Sequence, residues 1–298
     1  MGTRAAARPS PLRSGFLEVE GLRLHHTFGG RGSPPAVFVH GLGSSGYMEW
    51  RFNLPRLSGR HAVFAPDLPG FGRSAKPRVT YGVPLFERSL TGYLEKLEVA
   101  SPVLVGASMG GRVAIEVALR RPELVRKLVL INALGLGRPR LKLAYPLVTV
   151  PRLGEALLGL LRRGLRRASD EAIRGLARRY LGVAGDLERT MDEEYLADLR
   201  ELHETEGYHD AYLATVRSLT RPAPLTRFQD LVGALARARV PVLLIWGAED
   251  TLFPLDHALR AHREIPGSRL AVIPDAGHTP QAERPDEFNE VLESFLDG

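Results

Sequence analysis

The chain has 298 residues, of which 44% are hydrophobic and 25% are charged, so it can bury the core of one large α/β domain or two small ones. It contains no cysteine, which excludes disulfides, thiolate metal sites and cysteine nucleophiles. The formal net charge is +6, but acidic residues are interspersed among the arginines and no base-stacking motif accompanies them. We therefore expect no nucleic-acid partner.

The N-terminal segment is basic, and no apolar stretch of the kind found in secretory signals follows it. We expect residues 1–15 to form a disordered tail, and we expect a cytoplasmic protein. No run approaches the roughly 20 apolar residues of a spanning helix, which predicts no stable membrane insertion.

The next segment, residues 16–30, alternates apolar and polar residues on both sides of Gly21, which predicts an antiparallel hairpin. Continuous apolar runs then alternate with helical patterns, as in a parallel sheet that is buried on both faces. The sequence thus predicts an α/β fold with a mostly parallel, doubly wound sheet that opens with an antiparallel hairpin. The apolar runs are PAVFVH, HAVFAP, PVLVGA, KLVLIN, VPVLLIWG and RLAVIP.

The alternation stops between about Leu134 and Leu231, where only amphipathic helical patterns occur. This predicts a helical cap over residues 134–231, inserted into a core made of residues 16–133 and 232–298. One cap pattern, GLLRRGLRR, is compatible with a helix on a membrane surface. We expect instead a helix that packs one face on the domain below and holds its arginines in water.

The loop after the first apolar run, HGLGSSG, allows two interpretations. Gly41, Gly43 and Gly46 fit G-x-G-x-x-G, and Asp67 lies about 20 residues on, as in a dinucleotide site. The same turn could direct backbone N–H groups at an oxyanion. Pro55 interrupts the helix that a dinucleotide site needs, and Asp67 lies in a turn-forming context. These local features weigh against the dinucleotide interpretation, but on the residues alone both interpretations stay open.

The segment VLVGASMGGRVAIEVAL contains G-x-S-x-G between a buried strand and a helix. In that context Ser108 stands on a sharp, strained turn with its hydroxyl above the sheet. Gly106 and Gly110 would let the strand and the helix cross closely. Because a serine hydroxyl alone is a poor nucleophile, Ser108 needs a base and an orienting acid.

Both partners follow in the sequence. Asp250 comes after the strand VLLIWG, and His278 lies in a turn after the last predicted strand. Their chain order, Ser then Asp then His, is that of a hydrolytic triad, and all three follow strand C-termini. Glu249 adjoins Asp250 and is an alternative acid.

The chain resembles the α/β-hydrolase superfamily, in the group of serine hydrolases with a helical cap. The likeness extends from Phe16 to the C-terminus and rests on HGLGSS, APDLPGFGRS, GASMGG, WGAEDTLFP and GHTPQAERP. The resemblance favours Asp250 as the acid and implies oxyanion donors at the backbone N–H groups of Leu42 and Met109. It implies neither a metal nor a cofactor. Asn132 occupies a position where some relatives carry their acid, a role that an amide cannot serve.

A serine nucleophile excludes relatives that attack with aspartate, namely dehalogenases and epoxide hydrolases. The cap is rich in leucine, alanine and tyrosine, which favours an apolar acyl or alcohol group. We predict a carboxylic ester hydrolase, lipase-like, that acts on a small apolar ester as a monomer or homodimer. One alternative is a C–C hydrolase of ring-fission diketones, although Thr279 stands where those enzymes usually place an aromatic residue. Another is a hydrolase-fold receptor with little turnover.

Overall fold

One eight-stranded sheet organises the chain in the computed structural model, which describes residues 11–140, 144–180, 186–220 and 226–298. The strands are β1 (Arg13–Val19), β2 (Leu22–Gly29), β3 (Ala36–Val39), β4 (Val63–Pro66), β5 (Val103–Ala107), β6 (Lys127–Ile131), β7 (Val242–Gly247) and β8 (Arg269–Ile273). Their order across the sheet is β1-β2-β4-β3-β5-β6-β7-β8. β2 is antiparallel to β1 and β4, and all other neighbours are parallel. The predicted fold class is confirmed.

The opening hairpin turns through two residues with positive φ, Glu20 at 50° and Gly21 at 76°. Two such residues give the turn type whose twist matches that of the flanking strands. β1 begins at Arg13, which pairs with Phe28. The predicted disordered tail over residues 1–15 is therefore wrong for 13–15, because this segment gains ladder hydrogen bonds along β2. Residues 1–10 lie outside the described residues.

The central strands are apolar throughout because both faces of the sheet are covered. All five residues of β5 are buried, and its successive side chains enter different clusters. Leu104 packs with Val37, Leu128 and Leu244 on one face. Val105 belongs to the cluster on the other face. This two-sided burial explains why these strands read as continuous hydrophobic runs.

The helices follow the predicted alternation, with short helices where proline interrupts the pattern. Within the described ranges, no helix is long and apolar enough to cross a bilayer. The helices of the first half are α1 (Gly46–Trp50), α2 (Leu54–Leu57), α3 (Val83–Lys96), α4 (Met109–Arg120), α5 (Ala144–Thr149), α6 (Leu153–Leu165) and α7 (Asp170–Tyr180). Those of the second half are α8 (Leu187–Thr190), α9 (Glu193–Glu204), α10 (Tyr208–Leu219), α11 (Thr226–Ala238), α12 (Asp256–Glu264), α13 (Pro280–Glu283) and α14 (Pro285–Asp297).

Seven helices, α5 to α11, separate β6 from β7 in the described residues. The predicted cap boundary at residue 231 falls inside α11. Val232 and Leu235 of that helix are buried with the sheet residues, as are Tyr208 and Ala211 of α10. The cap thus shares one apolar cluster with the core, and the division of the chain into cap and core stays a prediction.

The crossing of β5 and α4 is the tightest approach that bears on the site. A β-carbon added to Gly106 would lie 2.6 Å from the carbonyl oxygen of Gly110. A β-carbon added to Gly110 would lie 2.2 Å from the carbonyl oxygen of Val39. The two glycines therefore allow a separation between strand and helix that no larger residue permits.

We expect Gly110→Ala to lower the free energy of unfolding by about 3 kcal/mol or more, or to prevent folding, because backbone must move. Gly175→Ala is the matched control: it lies in α7 with no atom within 4 Å of an added β-carbon. That control should be neutral or stabilising by up to about 1 kcal/mol. Urea denaturation of both variants measures the difference, and equal stabilities would contradict the packing argument.

Candidate active site

Ser108 occupies the turn between β5 and α4 with φ 52° and ψ −117°. A serine with positive φ is strained, so the surrounding structure must hold it. Its N–H donates to the carbonyl of Ile131 at 2.9 Å, and its own carbonyl accepts from the N–H of Leu134 at 2.9 Å. These bonds tie the turn to β6 and leave the side chain free to project above the sheet.

His278 joins Ser108 to Asp250. The Nε2 atom of His278 lies 3.1 Å from Ser108 Oγ, and its Nδ1 atom lies 2.9 Å from Asp250 Oδ2. Because an ionised carboxylate only accepts hydrogen bonds, Nδ1 carries the proton and Nε2 accepts from the serine hydroxyl. The three side chains singled out in the sequence thus form one hydrogen-bonded chain at the C-terminal edge of the sheet.

Asp250 is buried, whereas the alternative acid Glu249 is exposed. The Oδ1 atom of Asp250 accepts hydrogen bonds from the N–H groups of Leu252 at 2.7 Å and Phe253 at 3.0 Å. Burial alone would raise the pKa of Asp250. The charge of His278, its hydrogen bond to Asp250 and the other donors instead hold that pKa below its ordinary value. The acid therefore stays ionised beside the imidazole.

Asn132 cannot serve as the acid of the site because its side chain is an amide. It nevertheless contacts Asp250 directly. Its Nδ2 donates to Asp250 Oδ2. Its Oδ1 accepts from the N–H of Gly247 at 3.1 Å, which fixes the orientation of the amide. Sequence reasoning missed this role, because β6 and β7 become neighbours only in the sheet.

Glu283 holds the loop of His278 from both sides. Its Oε2 accepts from the N–H of Gly277 at 2.8 Å, and its Oε1 accepts from the N–H of Thr279 at 2.8 Å. The Thr279 hydroxyl donates to the same Oε1 at 2.9 Å. The imidazole therefore stands on a loop whose two flanks share one buried carboxylate. A glutamate four residues after a threonine was the available sequence signal.

The turn that carries Leu42 lies against Ser108. A β-carbon added to Gly41 would lie 3.3 Å from Ser108 Cβ. His40 supports this turn, because its Nδ1–H donates to the Gly41 carbonyl at 2.7 Å and its Nε2 accepts from the Leu68 N–H at 2.9 Å. Burial lowers the pKa of His40, which keeps this bridging ring neutral.

Helix α10 lies over the same turn. Gly43 has φ +81°, and a β-carbon there would lie 3.2 Å from the ring of Tyr212 in α10. The hydroxyl of Tyr208 in α10 donates to the Gly43 carbonyl at 3.3 Å. Because Met109 is the first residue of α4, its N–H has no partner within that helix. Two backbone donors, at Leu42 and Met109, thus belong to segments that flank Ser108.

Asp67, the candidate ribose ligand, instead braces the site from behind. Its Oδ1 accepts from the Gly46 N–H at 2.7 Å, and its Oδ2 accepts from the Arg73 N–H at 2.8 Å. His25 Nδ1 lies 2.9 Å from the same Oδ2. With its oxygens engaged and its side chain buried, Asp67 cannot reach a nucleotide, so the dinucleotide interpretation is wrong.

Glu49 brings a further carboxylate to the site, which the sequence did not indicate. A β-carbon on Gly41 would lie 3.9 Å from Glu49 Oε2, so Glu49 and Ser108 flank the same glycine. The side-chain amide of Gln281 donates to Glu49 Oε1 at 2.6 Å and fixes its position. Its charge acts on His278 as well. The short helix α1 brings Glu49 to this position, and no sequence motif indicates that helix.

The acidic surroundings set the protonation of His278. Burial alone would lower its pKa, but the charge of Asp250, the hydrogen bond to it, and the charges of Glu49 and Glu283 raise the pKa of His278 above the ordinary value. A proton arriving on this imidazole is therefore stabilised by three carboxylates.

We expect Glu49→Gln to lower the pKa of His278, because one of the negative charges that stabilise the imidazolium is removed. The pKa is measured by NMR titration of the imidazole, with the signal assigned through its loss in His278→Gln. Glu290→Gln removes an exposed charge on α14 and should leave the titration unchanged. A pKa that stays the same in Glu49→Gln would contradict the placement of Glu49 beside the ring.

Comparison with known proteins is consistent with this geometry. Residues 36–291 match the model of the alpha/beta hydrolase family. The 2-hydroxy-6-oxononadienedioate/2-hydroxy-6-oxononatrienedioate hydrolase 2 of Pseudomonas putida is 30% identical over 297 residues, which cover 98% of this chain and 96% of that protein. The hydrolase YugF of Bacillus subtilis (strain 168) is 30% identical over 289 residues, with 96% and 98% covered.

A solved structure of another hydrolase has the same fold. The meta-cleavage product hydrolase of Pseudomonas fluorescens IP01 superposes with a TM-score of 0.74 at 26% identity, and the match covers 95% of this chain and 97% of that one. With the family model spanning most of the sequence and the fold shared from end to end, the chain belongs to the alpha/beta hydrolase family.

Proposed function

We propose that this hydrolase cleaves uncharged carboxylic esters with an apolar acyl or alcohol group, with Ser108 as the nucleophile. The hydrogen-bonded chain Ser108–His278–Asp250 supports acyl transfer in general. The single observation that carries the choice of substrate is the carboxylate of Glu49 beside the reaction centre.

The mechanism starts with attack of Ser108 Oγ on the ester carbonyl while His278 Nε2 takes the hydroxyl proton. Asp250 holds the imidazole in the required tautomer and stabilises the imidazolium. His278 then protonates the leaving alcohol, and an acyl-enzyme remains on Ser108. Water attacks this intermediate with His278 again as the base, which releases the acid and restores the serine.

The negative charge that develops on the carbonyl oxygen needs donors placed in advance. We assign this role to the backbone N–H groups of Leu42 and Met109, from the turn beside Gly41 and from the start of α4. Removing one such donor typically costs roughly 100- to 1,000-fold in rate. Because both donors are backbone groups, they add no side chain that restricts the substrate.

Apolar side chains around this centre favour an uncharged substrate. Leu42, Leu134 and Tyr212 are partly buried and pack against the core cluster next to the turn. Glu49 adds a negative charge there. A carboxylate on the substrate about 4 Å from Glu49 would be repelled by about 4 kcal/mol at the effective dielectric constant of a protein surface.

The second candidate is C–C bond hydrolysis, which the Pseudomonas putida relative favours. Its substrates are named as dioates, so they carry two carboxylates. Such a substrate would have to accommodate the charge of Glu49, and that is why we place ester hydrolysis first. A receptor with little turnover is the third possibility that the experiment separates.

The test compares two p-nitrophenyl esters of matched length, the neutral butyrate and the anionic hemisuccinate, with a ring-fission dienoate. We expect kcat/KM for the butyrate to exceed that for the hemisuccinate by at least about ten-fold, which corresponds to 1.4 kcal/mol. Ser108→Ala should abolish turnover of the butyrate. Glu49→Gln should lower the ratio of kcat/KM for the butyrate to kcat/KM for the hemisuccinate, because the repelling charge is removed.

Two outcomes would overturn the proposal. Faster cleavage of the dienoate than of either ester would establish the C–C hydrolase instead. A single slow acylation of Ser108 without turnover would establish the receptor.

We expect Asn132→Ala to reduce kcat for the butyrate by about 10- to 100-fold with little change in KM, because a hydrogen bond to a charged group contributes about 1.5–3 kcal/mol. The loss acts through the position of Asp250 rather than through substrate binding. Steady-state kinetics separate kcat from KM, and thermal denaturation checks the fold. An unchanged kcat would contradict a role of Asn132 in positioning Asp250.

A further inference from the structure

We propose that one surface of the cap docks onto a bilayer that contains anionic lipid. We call this surface the cap patch. It consists of five exposed apolar side chains and two exposed arginines, namely Leu147, Val150, Leu153, Leu160, Leu161, Arg163 and Arg167. The inference is independent of the proposed ester chemistry.

The apolar side chains of the cap patch are concentrated rather than scattered. Among the described residues, ten large hydrophobic side chains are exposed, and five of them lie within residues 147–161. Their exposed fractions run from 38% to 61%, with Leu160 the most exposed. Single exposed leucines are ordinary, but five exposed apolar side chains within residues 147–161 indicate an interaction surface.

Helix α6 does not need Leu153 and Leu160 for its own packing, whereas Leu161 lies beside the inner face, at the edge of the patch. Its inner face is formed by Gly154, Leu158 and Leu165, which are buried. Leu153 and Leu160 are seven residues apart, so they lie on the same side of the helix, two turns apart. They point away from the inner face, and α6 is therefore apolar on two sides.

The end of α5 extends the same surface. The N–H of Val150 donates to the carbonyl of Leu147 at 3.2 Å, and the N–H of Gly154 donates to the carbonyl of Val150 at 2.8 Å. These bonds connect Leu147, in the last turn of α5, through Val150 to the start of α6. The apolar residues thus continue from that turn along the helix.

The charge around the patch selects its partner. Residues 147–168 contain five arginines and one acid, Glu155, which pairs with Arg217 at 2.9 Å. Arg162 and Arg166 share Glu204. In the part of the chain that the structure describes, Arg163 and Arg167 have no acidic side chain within 4.0 Å. The patch is therefore apolar and positively charged.

An anionic bilayer fits both properties. Leucines can enter the acyl boundary while the arginines remain at the headgroups, as in interfacial amphipathic helices. A second copy of the chain in a symmetric pair would bring arginine against arginine, which disfavours that occupant. The sequence pattern GLLRRGLRR was expected to be a helix with one packed face and solvated arginines. The structure adds the exposed leucines that this expectation did not include.

The experiment uses the full chain in sedimentation with vesicles of phosphatidylcholine alone or with about 30% phosphatidylglycerol. We expect binding to the anionic vesicles, at least ten-fold weaker binding to neutral ones, and release at high salt. Leu160→Asp and the pair Arg163→Glu with Arg167→Glu should each weaken binding about ten-fold or more. Circular dichroism and thermal denaturation establish that the variants are folded.

Leu259→Asp is the matched control, because Leu259 is 41% exposed but lies on α12, outside the patch. It should bind like the unmodified chain. Absence of vesicle binding, equal binding to both vesicle types, or an equal loss in Leu259→Asp would each overturn the proposal. So would a dimer in solution that Leu160→Asp dissociates while vesicle binding is unaffected, since the patch would then be an interface between copies.

Discussion

The close crossing of β5 and α4 is the constraint on which the site depends. Two glycines let the helix start directly after the strand, and the turn between them forces Ser108 to a positive φ. The same geometry places the first N–H of α4 directly after Ser108. The strain at Ser108 is offset by backbone bonds to β6 and to Leu134 and by the burial of both elements, so Ser108 is held in place by the packed sheet.

Carboxylates hold the remaining parts of the site. Asp67 ties the start of α1 to the loop after β4, and Glu283 ties both flanks of the His278 loop together. Asp250 in turn is held by two backbone donors and by Asn132. Each acid is buried with donors around it, which is the condition under which buried charge is tolerated. The loops of the site are thereby cross-linked by hydrogen bonds to buried side chains.

The helical insertion between β6 and β7 contributes in two directions. On its inner side, Tyr208 and Tyr212 contact the turn beside the nucleophile, so the shape of the substrate site depends on how α10 rests on the sheet. On its outer side, α6 presents leucines and arginines to the surroundings. One helical insertion thus contacts the turn beside Ser108 on one side and exposes leucines and arginines on the other.

The sequence by itself determined the order of strands and helices, the antiparallel opening and the identity of Ser108, Asp250 and His278. Most of these follow from local causes, since two-sided burial gives continuous apolar runs and a tight turn needs glycines at set spacings. The choice of Asp250 over Glu249 rested instead on the family resemblance. The sequence did not determine the start of β1 at Arg13, because ladder pairing with Phe28 is a long-range gain. Glu49, Asn132 and the exposed face of α6 likewise came only from the tertiary structure. Their partners are over 100 residues away for Glu49 and Asn132, and the exposure of a helix face depends on which side the rest of the fold covers.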